Sequence, residues 1–168
     1  FEAITPDRVD AMMKKENIKW NYPWEGQITD FSTGLIKSAY STQNPKARIA
    51  CALSHYHLWK SCASGSDNYL ILQHDSIFTR QLDYHAINKS HKLIISINNP
   101  RFATRRAVDY LNSSYIIKPD GAKKMLQLVQ EYGLWPNDAL MCKQLIPQIG
   151  CTQRFYTRVQ GIRSTTSL

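Results

Sequence analysis

A chain of 168 residues with 43% hydrophobic and 11% aromatic side chains can bury a core of its own, which excludes a disordered chain and fits one domain over 1–168. Lysine and arginine number 21 against 13 acidic residues, and the net charge of +8 favours anionic partners: nucleotide diphosphates, phosphorylated lipid headgroups or nucleic acid. No apolar run approaches the roughly 20 residues of a membrane-spanning helix, so no transmembrane segment is expected.

In chain order, Thr5-Pro6 is a good helix start, and Val9, Met12 and Met13 supply an apolar stripe for a short helix over 6–16. Residues 18–43 carry Trp20, Tyr22, Trp24, Phe31 and Tyr40 without sustained periodicity and read as a long irregular excursion. Its aromatic rings suit either stacking on sugars or plugging the core edge. Asn44-Pro45 starts the next helix, with Ile49, Ala52, Leu53, Tyr56 and Trp59 on one face and Cys51, His55 and Cys62 along its flank. The run Tyr69-Leu70-Ile71-Leu72 has no alternation and predicts a strand buried on both faces, as in a parallel sheet covered by helices. It delivers Gln73-His74-Asp75 to its carboxyl edge, where ligands sit in open α/β sheets. Asp75 there either caps the turn or holds a divalent cation. Residues 93–97 and 114–117 read as further buried strands. An amphipathic helix spans 119–131 and stops at Gly133. Asn137 caps another helix running to about Ile146, with Asp138 in its first turn, and 155–159 is a last strand. Strands alternating with helices make an α/β chain with a mostly parallel central sheet.

The basic residues fall in three clusters: Arg101, Arg105 and Arg106; Lys118, Lys123 and Lys124; Arg154, Arg158 and Arg163. Each reads as a solvated face, and the lack of any RNA-recognition, helix-turn-helix or zinc-finger pattern argues against nucleic acid as the partner. The four cysteines match no zinc spacing and are too few for a disulfide framework, so reduced thiols are expected.

Four segments carry more information together than apart. They are Ala50-Cys51-Ala52-Leu53-Ser54-His55 before a helical stretch, Leu70-Ile71-Leu72-Gln73-His74-Asp75-Ser76, Tyr115-Ile116-Ile117-Lys118-Pro119-Asp120-Gly121-Ala122-Lys123-Lys124-Met125-Leu126, and Trp135-Pro136-Asn137-Asp138. In that order and at those intervals they resemble glycosyltransferase family 25, the lipopolysaccharide-sugar and collagen-galactose transferases. That family has a segment like GCALSH, a strand ending LEDDV, a segment like AYLISKKGAKKLL and a PVD motif. The resemblance runs from about Phe1 to Thr165, and its most specific part is the pairing of CALSH with the strand. Where the family has Glu-Asp-Asp, this chain has Gln73-His74-Asp75. The family's opening strand, which precedes a Phe-x-Ala-Ile/Val segment like Phe1-Glu2-Ala3-Ile4 and helps seat the nucleotide base, is not found in this sequence.

The resemblance implies a GT-A-like fold and sugar transfer, with inversion, from a nucleotide-sugar donor to a hydroxyl of a glycan, lipopolysaccharide or protein; the expected reduced thiols fit the cytoplasm or the cytoplasmic face of a membrane. A glycan or lipid-linked glycan is the implied acceptor. Asp75 aligns with the last acid of LEDDV as the metal or ribose-phosphate ligand, and His74 becomes a second ligand to Mn2+, held weakly until a nucleotide adds its oxygens. Asp138 matches the acid of PVD and is the implied base; without the resemblance it reads as a helix N-terminal acid. Gln160, Ser164 and Thr165 resemble the family's closing segment near the diphosphate, and Arg163 beside them adds positive charge. His55 is implied to contact substrate or to orient the strand-end acid. The competing class is a catalytically inactive domain of the same fold that serves as a binding or structural subunit, which the altered acidic motif favours.

Overall fold

The computed structural model describes residues 1–98 and 113–161. The arginines at 101, 105 and 106, and Arg163, Ser164 and Thr165 of the closing segment, lie outside the described residues.

The chain opens with a 3-10 turn, Pro6–Arg8, that runs into helix α1, Val9–Glu16. The stretch expected to be irregular instead contains a hairpin of β1, Gln27–Asp30, and β2, Leu35–Ser38. Asp30 Oδ1 accepts from the Ser32 N–H at 3.0 Å and Gly34 takes φ 71°, so the turn residues carry this hairpin. Its strands are four residues long and mostly exposed, too short and too wet for apolar periodicity to announce them.

Helix α2, Pro45–Ala63, starts as expected: Pro45 occupies the first turn, and the Asn44 side chain accepts the Ala47 N–H at 3.1 Å. Strands β3, Tyr69–Leu72, and β4, Ser76–Phe78, follow, then a short helix α3, Tyr84–Asn88, and β5, Ile94–Ser96. After the undescribed segment come β6, Ser114–Ile117, and α4, Pro119–Tyr132. The short α5, Asn137–Leu140, and strands β7, Ile149–Cys151, and β8, Thr157–Val159, complete the order. The helix expected from Asn137 to about Ile146 therefore closes after one turn, and its N-cap position is Pro136, with Asn137 inside the helix.

The central sheet has the order β3-β6-β5-β7. β3 and β5 both pair antiparallel with β6, and β5 with β7 is the one parallel pair among its described strands. The expected mostly parallel sheet is thus corrected to a mixed, mainly antiparallel one inside an α/β arrangement. Side chains alternate across it. Ile71, Ile94, Tyr115, Ile117 and Ile149 face α2 and α4 in the main core, whereas Ile95, Ile97 and Ile116 form a smaller cluster with Ile87 of α3. β5 and β6 are therefore buried on both faces, as expected. β3 is not: it is the edge strand, and Leu70 and Leu72 are 41% and 42% exposed. Apolar residues on its open face mimic the signature of a central strand.

All four cysteines are free. Among the described residues no helix is long and apolar enough to cross a membrane.

Candidate active site

Three elements converge on one cavity of about 490 Å3. On α2, Arg48, Cys51 and His55 stand at i, i+3 and i+7 and so share the face that forms one wall. The sharp turn between β3 and β4 contributes Gln73, His74 and Asp75, closed by the Ser76 N–H donating to the Gln73 carbonyl at 3.0 Å. The first turn of α5 contributes Asn137 and Asp138. The amino-terminal segment completes the enclosure, held by the Ile4 N–H, which donates to Ser54 Oγ at 2.9 Å while that hydroxyl donates to the Ala50 carbonyl at 2.8 Å.

His55 is buried and does not present a free ring nitrogen to the cavity. Its Nδ1 lies 2.7 Å from the Tyr115 hydroxyl, which itself accepts the Trp59 indole N–H at 3.0 Å. Both ring nitrogens therefore have polar neighbours, Nδ1 the tyrosine hydroxyl and Nε2 the Gln73 side chain. Nε2 lies 3.3 Å from the Gln73 side-chain nitrogen. Burial drives the His55 pKa down to about 4, and the ring is neutral at neutral pH. The contacts Trp59, Tyr115, His55 and Gln73 run in series from the core to the turn that carries Asp75, while His55 also lines the cavity.

Asp75 is half-buried, and its Oδ1 is buried without a hydrogen-bond partner among the described residues. An unpartnered carboxylate oxygen on a cavity wall is costly unless a ligand completes it. His74 is exposed beside it. These two are the candidate metal ligands, and among the described residues there is no group of three histidine, cysteine or acidic side chains that would hold an ion alone.

Asp138 lines the same cavity. Burial raises its pKa, opposed by a hydrogen bond from the Tyr40 hydroxyl and by the Arg48 guanidinium. The Ala139 N–H also donates to its Oδ1 at 3.2 Å. The same burial, with the Asp138 charge nearby, pushes the Cys51 thiol up to about 11, so this cysteine is a protonated wall and not a nucleophile. The Asn137 Nδ2, on the same wall, is buried with no described partner.

The sites read from the sequence thus separate into three groups. Asp75, His74, His55 and Asp138 line one cavity. Gln160 does not line it, but its N–H donates to the Asp75 carbonyl at 2.7 Å, because β4 and β8 pair Ser76 with Val159 next door. Arg163 and Ser164 are outside the described residues. Sequence reasoning missed Arg48 and Asn137. The spacing of Arg48 to Cys51 and His55 on one helical face was a usable signal; Asn137 had none apart from its neighbour Asp138.

Residues 1–110 match the family model described as glycosyltransferase family 25 (LPS biosynthesis protein), a span that takes in His55, His74 and Asp75 and leaves Asp138 and Gln160 beyond it. No curated protein matches the chain. Since the match covers well over half of the 168 residues, and within it the CALSH helix and the strand-end acid meet at one cavity, the chain belongs to glycosyltransferase family 25.

Proposed function

We propose that this cavity binds a nucleotide-sugar and passes its sugar, with inversion, to an acceptor hydroxyl on a glycan, lipopolysaccharide or protein, in a GT-A-like arrangement. The observation that carries the reading is the presence in one cavity of an unpartnered Asp75 oxygen and the Asp138 carboxyl, whose pKa is raised by burial. Asp75 and His74 would hold a divalent cation such as Mn2+, which supplies charge neutralisation for a departing diphosphate. The Arg48 guanidinium and the Asn137 amide add a positive charge and a donor on the same walls. Arg163 and Ser164 remain proposed partners of the diphosphate.

The chemistry is a direct displacement. The acceptor oxygen attacks the anomeric carbon, the bond from that carbon to the diphosphate oxygen breaks, and the acceptor proton passes to Asp138. Desolvation makes Asp138 more basic than an ordinary carboxylate, which suits it to that task. The Tyr40 hydroxyl and the Ala139 N–H hold the carboxylate in one orientation.

A second reading has its own support. Gln73 and His74 stand where the family carries acids, and Gln73 is turned inward to His55, which favours a chain that binds donor without turning it over. One experiment separates the two: binding and release of nucleoside diphosphate measured for uridine, guanosine and cytidine diphosphate sugars, with wild type, Asp75→Asn and Asp138→Asn. Transfer or slow hydrolysis by wild type, lost in both variants, supports the transferase. Binding without release across the panel makes the binding subunit the better reading, and no binding at all contradicts both.

A further inference from the structure

A second cavity, of about 480 Å3, lies under the β1–β2 hairpin, and the residue common to its lining and that of the first cavity is Asp138. Its walls are Tyr22, Tyr40, Trp135 and Ile36, with Lys37 at its edge. We propose that this second cavity is the acceptor site and that it takes a neutral sugar ring, whose hydroxyl reaches Asp138 from the side opposite the nucleotide. The inference rests on the donor reading of the first cavity and adds the class and place of the second substrate.

Three features select an uncharged polyol. The first is the aromatic wall. Tyr22 and Tyr40 stack on each other with centroids 5.9 Å apart, the Arg48 guanidinium lies 4.8 Å over the Tyr40 ring and Trp135 tilts against Tyr22 at 5.8 Å, so ring edges and hydroxyls, with Leu35 and the exposed Ile36, form the wall. Apolar edges beside hydroxyl groups match the apolar patches and polar rim of a pyranose. The second is the state of Lys37. Its ammonium sits 2.8 Å from Asp30 and 4.5 Å from the centre of the Trp135 ring, and it donates to the Asn21 carbonyl at 3.2 Å. That pair is buried, with side chains 4% and 10% exposed, so the cavity offers little net charge to an anion. The third is Tyr40, whose hydroxyl already donates to Asp138, so an acceptor hydroxyl arriving from this side enters an existing hydrogen-bonded pair.

In the reaction the acceptor's O–H proton goes to the Asp138 carboxylate, its oxygen bonds to the anomeric carbon of the donor sugar, and the nucleoside diphosphate leaves on the far side. The geometry requires the base to be reachable from both cavities, which is the position Asp138 holds.

The test is read without nucleotide, so that failure of the donor reading does not touch it. Methyl β-galactoside, methyl β-glucoside and methyl N-acetyl-β-glucosaminide are titrated into 15N-labelled protein, and the indole N–H signals of the four tryptophans are followed. Trp135 lines the second cavity and Trp59, Trp20 and Trp24 do not, so at least one glycoside should shift the Trp135 signal saturably while Trp59 stays fixed. Inorganic phosphate is the comparison ligand and should leave Trp135 unmoved. Ile36 is 64% exposed, so Ile36→Arg, which fills the mouth, keeps the fold; it should weaken the glycoside response at least tenfold. Tyr22→Leu, which removes an aromatic edge and a hydroxyl from the wall, should do the same with the Trp59 signal as its folding control. A Trp135 response to phosphate and not to any glycoside, or glycoside binding indifferent to both variants, overturns the proposal.

Discussion

Asp138 carries opposing demands. Its pKa is raised because burial outweighs the Tyr40 hydrogen bond and the Arg48 charge, so the ionised form that a base needs is also the form the fold disfavours. Asp138→Asn should therefore lower transfer by roughly 10²–10⁴-fold, the usual worth of a general base, and raise the melting temperature at neutral pH. In wild type the rate should fall as pH drops through that raised pKa, at higher pH than an ordinary carboxylate would give. His55 sets the opposite sign of stability. Its folded pKa of about 4 is below the ordinary 6.5, so its contribution is complete above pH 6.5 and is lost as pH falls towards 4. The span corresponds to about 3 kcal/mol at this buried site. Urea unfolding at pH 7.5 and 4.5 should show that loss in wild type and not in His55→Phe; an unchanged slope in the variant would mean the titration lies elsewhere. Asp75 and Asp138 were legible in the sequence because both close recognisable segments. The partners of the His55 ring were not, since they include Tyr115, sixty positions away, whose hydroxyl also accepts from Trp59.

Among elements, α2 and α4 hold the site by packing on one face of the sheet. Their starts were readable from Asn44-Pro45 and Pro119, because capping chemistry is local. The direction of the strands was not, since β3 and β6 are joined through residues distant in sequence and nothing local distinguishes parallel from antiparallel pairing. The exposed Leu70 and Leu72 then concealed the alternation that would have marked β3 as an edge. The approach of α4 to the sheet depends on Gly121: a Cβ there would meet the Leu93 carbonyl oxygen at 2.6 Å, the same oxygen that accepts the Lys118 N–H at 3.0 Å. Gly121→Ala should consequently cost about 1–3 kcal/mol of stability by overpacking, against a gain usual for glycine to alanine inside a helix. Denaturant unfolding decides the sign, and a stabilised variant would show that the helix can shift without loss.

Across the whole molecule, the cavities are arranged so that one residue on a single-turn helix faces two chambers, one with the Asp75 turn and one under an aromatic hairpin. The net charge of +8 favours an anionic substrate in the first, while Lys37 in the lining of the second is already paired with Asp30. In the proposed donor site Asp75 would complete its coordination only with a nucleotide present, since one carboxylate and one imidazole are a poor ligand set for a hard cation. Calorimetric titration of Mn2+ into the protein, with and without uridine, guanosine or cytidine diphosphate, and repeated on Asp75→Asn, measures this directly. Weak binding alone, binding enhanced at least tenfold by one of the diphosphates, and loss of that enhancement in Asp75→Asn are expected. Metal binding that no diphosphate strengthens, or an enhancement that survives Asp75→Asn, would contradict the proposed donor site.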